Sequence, residues 1–211
     1  MANAQYVADL IERRRADPRP DLLTDLIVAE EAGGRLSTTE MLHIVVSVIM
    51  AGTDTTRNQL AIGLHLLADH PEHWELLGDR AYLEFAVEEI LRFAPIGYVL
   101  TRVPDVDIAI RDLTIPAGTM VVINVGAANR RDDLADANAF DAGRDPSPQH
   151  LTFGFGLKYC MGANLARAEM VEALAVLRSR FASIAHDGQA RFRQVGFIDG
   201  PLELPLRFGR T

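Results

Sequence analysis

The chain has 211 residues, of which 48% are hydrophobic and 24% charged, a balance that fits a folded globular protein and excludes extended disorder. Its formal net charge of −8 argues against a nucleic-acid partner, since phosphate binding needs a basic face. One cysteine cannot close an internal disulfide, Met1 to Arg15 lacks the apolar core of a signal peptide, and the apolar run Ile44 to Gly52 is too short to span a bilayer. The expectation is a soluble, cytoplasmic protein with no membrane segment.

Apolar residues Val7, Leu10 and Ile11 recur at helical spacing between Gln5 and Ala16, and Pro18 and Pro20 follow. A short helix is expected there. Asp21 precedes a second helical stripe, Leu22, Leu23, Leu26, Ile27 and Ala29, which closes at Gly33 and Gly34. Ser37 and Glu40 have the spacing of a capping box, and one long helix is expected from there to His70 and Pro71. Its middle, Ile44 to Met50, is apolar all round, which predicts a buried axle.

Pro71 suits the first turn of a short helix reaching Leu77. Leu83, Phe85, Val87, Ile90 and Leu91 mark the next helix, which ends before Pro95. The pattern then changes to β-rich runs, Tyr98 to Leu100, Val106 to Ile110 and Met120 to Val125, expected to form a small sheet. Asn129 to Gln149 is too long and too aperiodic for an ordinary connector. A glycine-punctuated loop follows, then a helix carrying Leu165, Met170, Leu174 and Leu177, then strands around Ile184 and from Leu202 to Phe208. The fold class is mainly α with small β-sheets, an α+β arrangement.

The loop carries the chemistry. Phe153, Gly154, Phe155, Gly156, Leu157, Lys158, Tyr159, Cys160, Met161, Gly162 sets a cysteine at the end of a glycine-rich turn and the start of a helix. Helix N-terminal amides favour a thiolate, the form that binds metal. A lone cysteine is more often a packing residue, but this spacing resembles the haem-ligand signature of the cytochrome P-450 family. It departs at Lys158, where that family commonly has histidine or arginine; the cation is kept without arginine's planar fork.

The resemblance implies that Cys160 is the axial ligand of haem b, iron protoporphyrin IX, with Phe153, Gly154, Gly156, Lys158 and Gly162 shaping the cofactor-binding loop. It implies further that Glu89 and Arg92, three apart on one helix face, meet Arg144 of the irregular segment and pin the loop under the haem. Read alone, such a pair would be a solvated surface bridge. Arg102 and His150 match positions that hold haem propionates; solvent exposure is the plain alternative for His150. In the long helix, Ala51 to Thr56 interrupts an apolar run with a glycine and four polar residues. Threonine back-bonding to the preceding turn would account for them locally. The resemblance instead makes Asp54 and Thr55 a proton-relaying pair in a widened turn of the central helix.

The similarity runs from about Ala4 to Phe208 and matches the C-terminal half of the bacterial soluble type, so residues 1–211 are expected to be a partial cytochrome P-450 domain. What it implies is a haem-thiolate monooxygenase acting on a hydrophobic small molecule, with electrons from a ferredoxin or another donor protein. The remaining pocket walls would be Ile49 to Thr53, Ile96 to Leu100 and Val195 to Phe197. Because the family's N-terminal half is not matched, a homodimer or a complementing N-terminal half is expected as partner. The alternative function is a non-catalytic haem-binding or scaffold protein derived from the same family.

Overall fold

Polar side chains set where the helices begin. In the computed structural model, which describes residues 2–33, 36–131, 133–146, 149–192, 198 and 200–210, α1 spans Ala2–Ala16, α2 Leu22–Glu31 and α3 Thr38–Asp69. Asp21 Oδ1 accepts the Thr24 N–H at 3.0 Å, which caps α2. Ser37 N–H donates to Glu40 Oε2 at 2.8 Å and Glu40 N–H to Ser37 Oγ at 3.2 Å, the reciprocal capping box ahead of α3.

The chain divides into two compact units, Met1–Asp54 and Thr55–Thr211, with the boundary inside α3. In the first, Val7 and Ile11 of α1, Ile27 of α2, and Met41 and Val45 of α3 make a small core. The expected axle is corrected here. Of Ile44 to Met50 only Val45 is buried, while Ile49 and Met50 are 42% and 61% exposed. Within this unit two short helices lie on one side of α3 and bury that side alone. The expected widened turn is likewise not found, since α3 runs as one α-helix. Thr53 Oγ1 donates to the Ile49 carbonyl at 2.6 Å, the local back-bond that a threonine in a helix can make.

The second unit adds α4 (Pro71–Leu76), α5 (Arg80–Phe93), α6 (Val125–Ala128) and α7 (Ala163–Arg180). Its strands are β1 (Val99–Arg102), β2 (Ile108–Ile110), β3 (Leu113–Ile115), β4 (Val121–Asn124), β5 (Phe181–His186), β6 (Arg191–Phe192), β7 (Pro201–Glu203) and β8 (Leu206–Arg210). The core joins Leu67 of α3, Trp74 of α4, Leu83, Ile90 and Leu91 of α5, Met170 and Leu174 of α7, and Ile184 of β5. Gly63 lets α3 approach α5 closely, because a Cβ there would lie 3.0 Å from Ile90 Cδ1.

The single small sheet expected after Pro95 is two separate antiparallel ladders, β1 with β4 and β2 with β3. β3 was not anticipated. It pairs with β2 across a tight turn in which Arg111 has φ 55°. The run expected to continue to Val125 stops at Asn124, whose Oδ1 accepts the Ala127 N–H at 2.9 Å and so starts α6. β5 pairs with β8, and β6 with β7.

Candidate functional site

Two interlocked networks hold the cysteine loop, and both start on α5. Its consecutive acids diverge, Glu89 into the interior and Glu88 toward α7. Arg92 Nε and Nη2 donate to the two oxygens of Glu89 at 2.6 and 2.8 Å, a bidentate pair with side chains only 6% and 1% exposed. Arg144 Nε adds a bond to Glu89 Oε1 at 3.2 Å, and the Asp141 N–H another at 3.1 Å. Glu89, Arg92 and Arg144 are thus brought together.

The guanidinium groups spend their other donors on backbone. Arg92 Nη1 reaches the carbonyls of Asn129 and Ala137, each at 2.9 Å, and Arg144 Nη1 that of Ala135 at 2.7 Å. A buried charge network needs such complete pairing, because a stranded charge is expensive. Here it fastens an irregular segment that has no ladder of its own.

From that segment the ties pass to the loop. Asn129 Nδ2 donates to the Arg92 carbonyl at 3.1 Å and to Thr152 Oγ1 at 3.0 Å, and Asn129 Oδ1 accepts the Leu151 N–H at 2.8 Å. Thr152 Oγ1 donates to the Leu91 carbonyl at 2.7 Å. Beyond this anchor the Cys160 N–H donates to the Phe153 carbonyl at 2.9 Å, and the Cys160 carbonyl accepts the Ala163 N–H at 3.3 Å. Gly154 and Gly156 have φ of +77° and +66°, a region that favours glycine. A Cβ on Gly154 would lie 3.3 Å from the Lys158 carbonyl oxygen and 3.9 Å from Leu100 Cδ1, which places β1 beside the loop.

The loop turns its sulfur outward. Cys160 is exposed, and so are Phe155, Leu157, Met161 and Leu165 around it. Lys158 closes a short 3₁₀ turn, Gly156–Lys158, and is exposed; Gly162 caps the N-terminus of α7. Arg102 ends β1 with Nη1 donating to the Thr101 carbonyl at 2.8 Å. One thiol within an apolar surface suits a flat, apolar ligand that offers its metal a single protein donor. It does not suit an ion that needs four protein ligands.

His150, expected to meet a haem propionate, has its side chain buried beside Glu88. Its side chain is 5% exposed, Nδ1 accepts the Thr152 N–H at 3.2 Å, and Nε2 lies 3.2 Å from Glu88 Oε2, off the line of a hydrogen bond. Both nitrogens therefore face protein groups. Glu88 is shared with Arg167 of α7, whose Nε and Nη2 sit 2.5 and 3.0 Å from its two oxygens and whose Nη1 donates to Tyr159 Oη at 3.3 Å. The Arg167 guanidinium also stacks 4.6 Å over the Phe153 ring. Burial raises the Glu88 pKa, but contacts with His150 and Arg167 outweigh it and bring the group from 4.5 to about 2.

Sequence reasoning missed Asn129, Thr152, Glu88 and Arg167, and also Gln59. Gln59 is buried in α3, donates to the Ala94 carbonyl at 2.9 Å and accepts the Ile96 N–H at 2.8 Å. None of the five carried a local sequence cue; Gln59 follows two other polar residues, Arg57 and Asn58. Asp54 and Thr55 lie consecutively on α3 and both have partners. Val195 to Phe197, expected to wall a pocket, lies outside the described residues.

Comparison with known proteins assigns the fold to a family. The cytochrome P450 family model matches residues 2–195, and the chain belongs to that family. It is 39% identical over 208 residues to the mycinamicin IV hydroxylase/epoxidase of Micromonospora griseorubida, covering 95% of this chain and 52% of that one. The vitamin D(3) 25-hydroxylase of Pseudonocardia autotrophica is 35% identical, with 97% of this chain and 52% of that one covered. Among solved structures, the tirandamycin C-bound P450 monooxygenase TamI superposes with a TM-score of 0.89 at 36% identity, over 99% of this chain and 53% of that one. The chain spans about half the length of the curated relatives it matches. The family implies haem, and no helix among the described residues is long and apolar enough to cross a membrane.

Proposed function

We propose that the chain binds haem b through the Cys160 sulfur and forms the haem-thiolate part of a monooxygenase that inserts one oxygen atom from dioxygen into a hydrophobic small molecule. The observation that carries this is the exposed Cys160 thiol, set in an apolar patch on a loop tied down by Asn129 and Thr152. When bound, haem supplies the activation of dioxygen, helped by the electron-rich thiolate.

The chain's own residues do the rest. Phe153, Gly154, Gly156 and Gly162 give the loop its close approach to the ring, and Arg102 and Lys158 offer cations to the propionates. His150 acts from inside, bracing the loop on Glu88. The Asp54 carboxyl and the Thr55 hydroxyl hold and pass protons for the reaction, and a ferredoxin-type protein donates electrons. The names of the relatives, a hydroxylase/epoxidase of mycinamicin IV and a hydroxylase of vitamin D(3), support a bulky, mainly apolar substrate class.

Haem reconstitution tests the assignment. The reduced, carbon-monoxide-treated chain should give the thiolate-shifted haem band, and Cys160→Ala should lose it. An unchanged spectrum in Cys160→Ala overturns the ligand assignment, and a chain that takes up no haem overturns the function. With a reductase and substrate, Thr55→Ala should consume electrons without a matching yield of product.

A further inference from the structure

The cluster of histidines away from the cysteine loop has its own chemistry. His65 and Asp69 stand one turn apart on α3, and His186 ends β5. Each offers one ligand atom, and the three atoms lie within 4.8 Å of one another. His186 Nε2 is 2.8 Å from Asp69 Oδ1, and His65 Nε2 is 3.7 Å from Asp69 Oδ2, beyond hydrogen-bond reach. The two imidazole centroids are 4.9 Å apart and edge-on.

We propose that His65, Asp69 and His186 form a binding site for a divalent transition ion, zinc(II) in the first place, that clips the end of α3 to β5. Two imidazoles and one carboxylate are a donor set that zinc favours, with water as fourth ligand. Tetrahedral bonds of about 2.0–2.1 Å put neighbouring donors about 3.4 Å apart, and these three atoms already stand within 4.8 Å of one another.

A second observation concerns His65 itself. Its Nδ1 is buried without a partner, and among the described residues neither ring nitrogen makes a hydrogen bond. Among the described residues the ring thus lacks any hydrogen-bond partner, and Nε2, 3.7 Å from Asp69 Oδ2, is the nitrogen that an ion would take. The clip would close a long loop, because Asp69 and His186 are 117 residues apart in sequence. Such closures gain most from a cross-link.

The neighbouring group His70, Glu72 and His73 is the weaker candidate, because His73 Nδ1 is already engaged by Tyr82 Oη at 2.5 Å. The inference does not rest on haem binding.

Calorimetric titration of the full chain with zinc chloride tests it. One ion should bind and raise Tm, and His65→Ala and His186→Ala should each weaken binding by about tenfold or more, since even outer-shell changes have effects of this size. His73→Ala should leave it unchanged, and magnesium should not compete. Cobalt(II) in place of zinc should show nitrogen and oxygen coordination without a thiolate charge-transfer band, a readout that needs no variant. Binding that survives both histidine substitutions, depends on His73, or carries the thiolate band of Cys160 overturns the proposal, as does no binding at all.

Discussion

Arg92 and Asn129 bind each other's backbone: Arg92 Nη1 donates to the Asn129 carbonyl at 2.9 Å, and Asn129 Nδ2 donates to the Arg92 carbonyl at 3.1 Å. This reciprocal pair joins the end of α5 to the segment after α6, and Asn129 extends it to Leu151 and Thr152. Through Asn129 the pair is tied to the start of the loop that carries Cys160.

Asn129→Ala should therefore act on the loop as well as on stability. It leaves the Leu151 N–H and the Arg92 carbonyl without their side-chain partner, at about 1–3 kcal/mol for each buried group left unsatisfied. Urea unfolding followed by the fluorescence of Trp74, the single tryptophan, should show the loss, together with a lower haem content after reconstitution.

Glu89→Gln should be more damaging than removal of a surface acid. It strips the charge from a site where Arg92 and Arg144 both converge, and breaking one partner of a buried pair costs about 3–5 kcal/mol. The exposed Glu84, paired with Arg80 at 3.2 Å, is the control, and Glu84→Gln should shift stability by no more than about 1 kcal/mol. Equal shifts in the two melting curves would contradict the network's role.

Glu88 predicts an acid limb in the stability profile. Its folded pKa of about 2 lies below the ordinary 4.5, so the stabilisation it contributes is complete above pH 4.5 and is lost as pH falls from there toward 2. Glu88→Gln should flatten this limb. The measurement is the difference in unfolding free energy between the two proteins from pH 6 downward to about 3, near the acid end of the linkage; a constant difference would sink the idea.

Gly154→Ala should strain the loop while leaving the core intact. A residue with a Cβ in the left-handed region costs about 1–2 kcal/mol, and here the Cβ also meets the Lys158 carbonyl at 3.3 Å. Haem affinity should fall by more than thermal stability does. Gly52→Ala, on α3 with open space around it, should if anything stabilise the helix.

Helices were the legible part of the fold. Asp21, the Ser37 and Glu40 box and Pro71 announce α2, α3 and α4 by local hydrogen bonding and fixed backbone angles, which neighbouring residues alone decide. The strands were harder. β2 and β3 are three residues each, and whether such runs pair with one another or join a common sheet depends on where the chain returns.

For the site, sequence alone marked out the cysteine loop, since its glycines, its cysteine and their spacing are local properties of ten consecutive residues. It also marked Glu89, Arg92 and Arg144 through family resemblance. Tertiary structure decided what those residues touch. Asn129, Thr152, Glu88 and Arg167 are common polar types with no local pattern, and they matter only because folding brings the α5 end, the irregular segment and α7 together. The same holds for His150, which the fold turns toward Glu88, and for His65 and His186, which meet across 121 residues of sequence (186 less 65). Spacing along the chain encodes what neighbours do to one another; long-range pairing exists only once the core has closed.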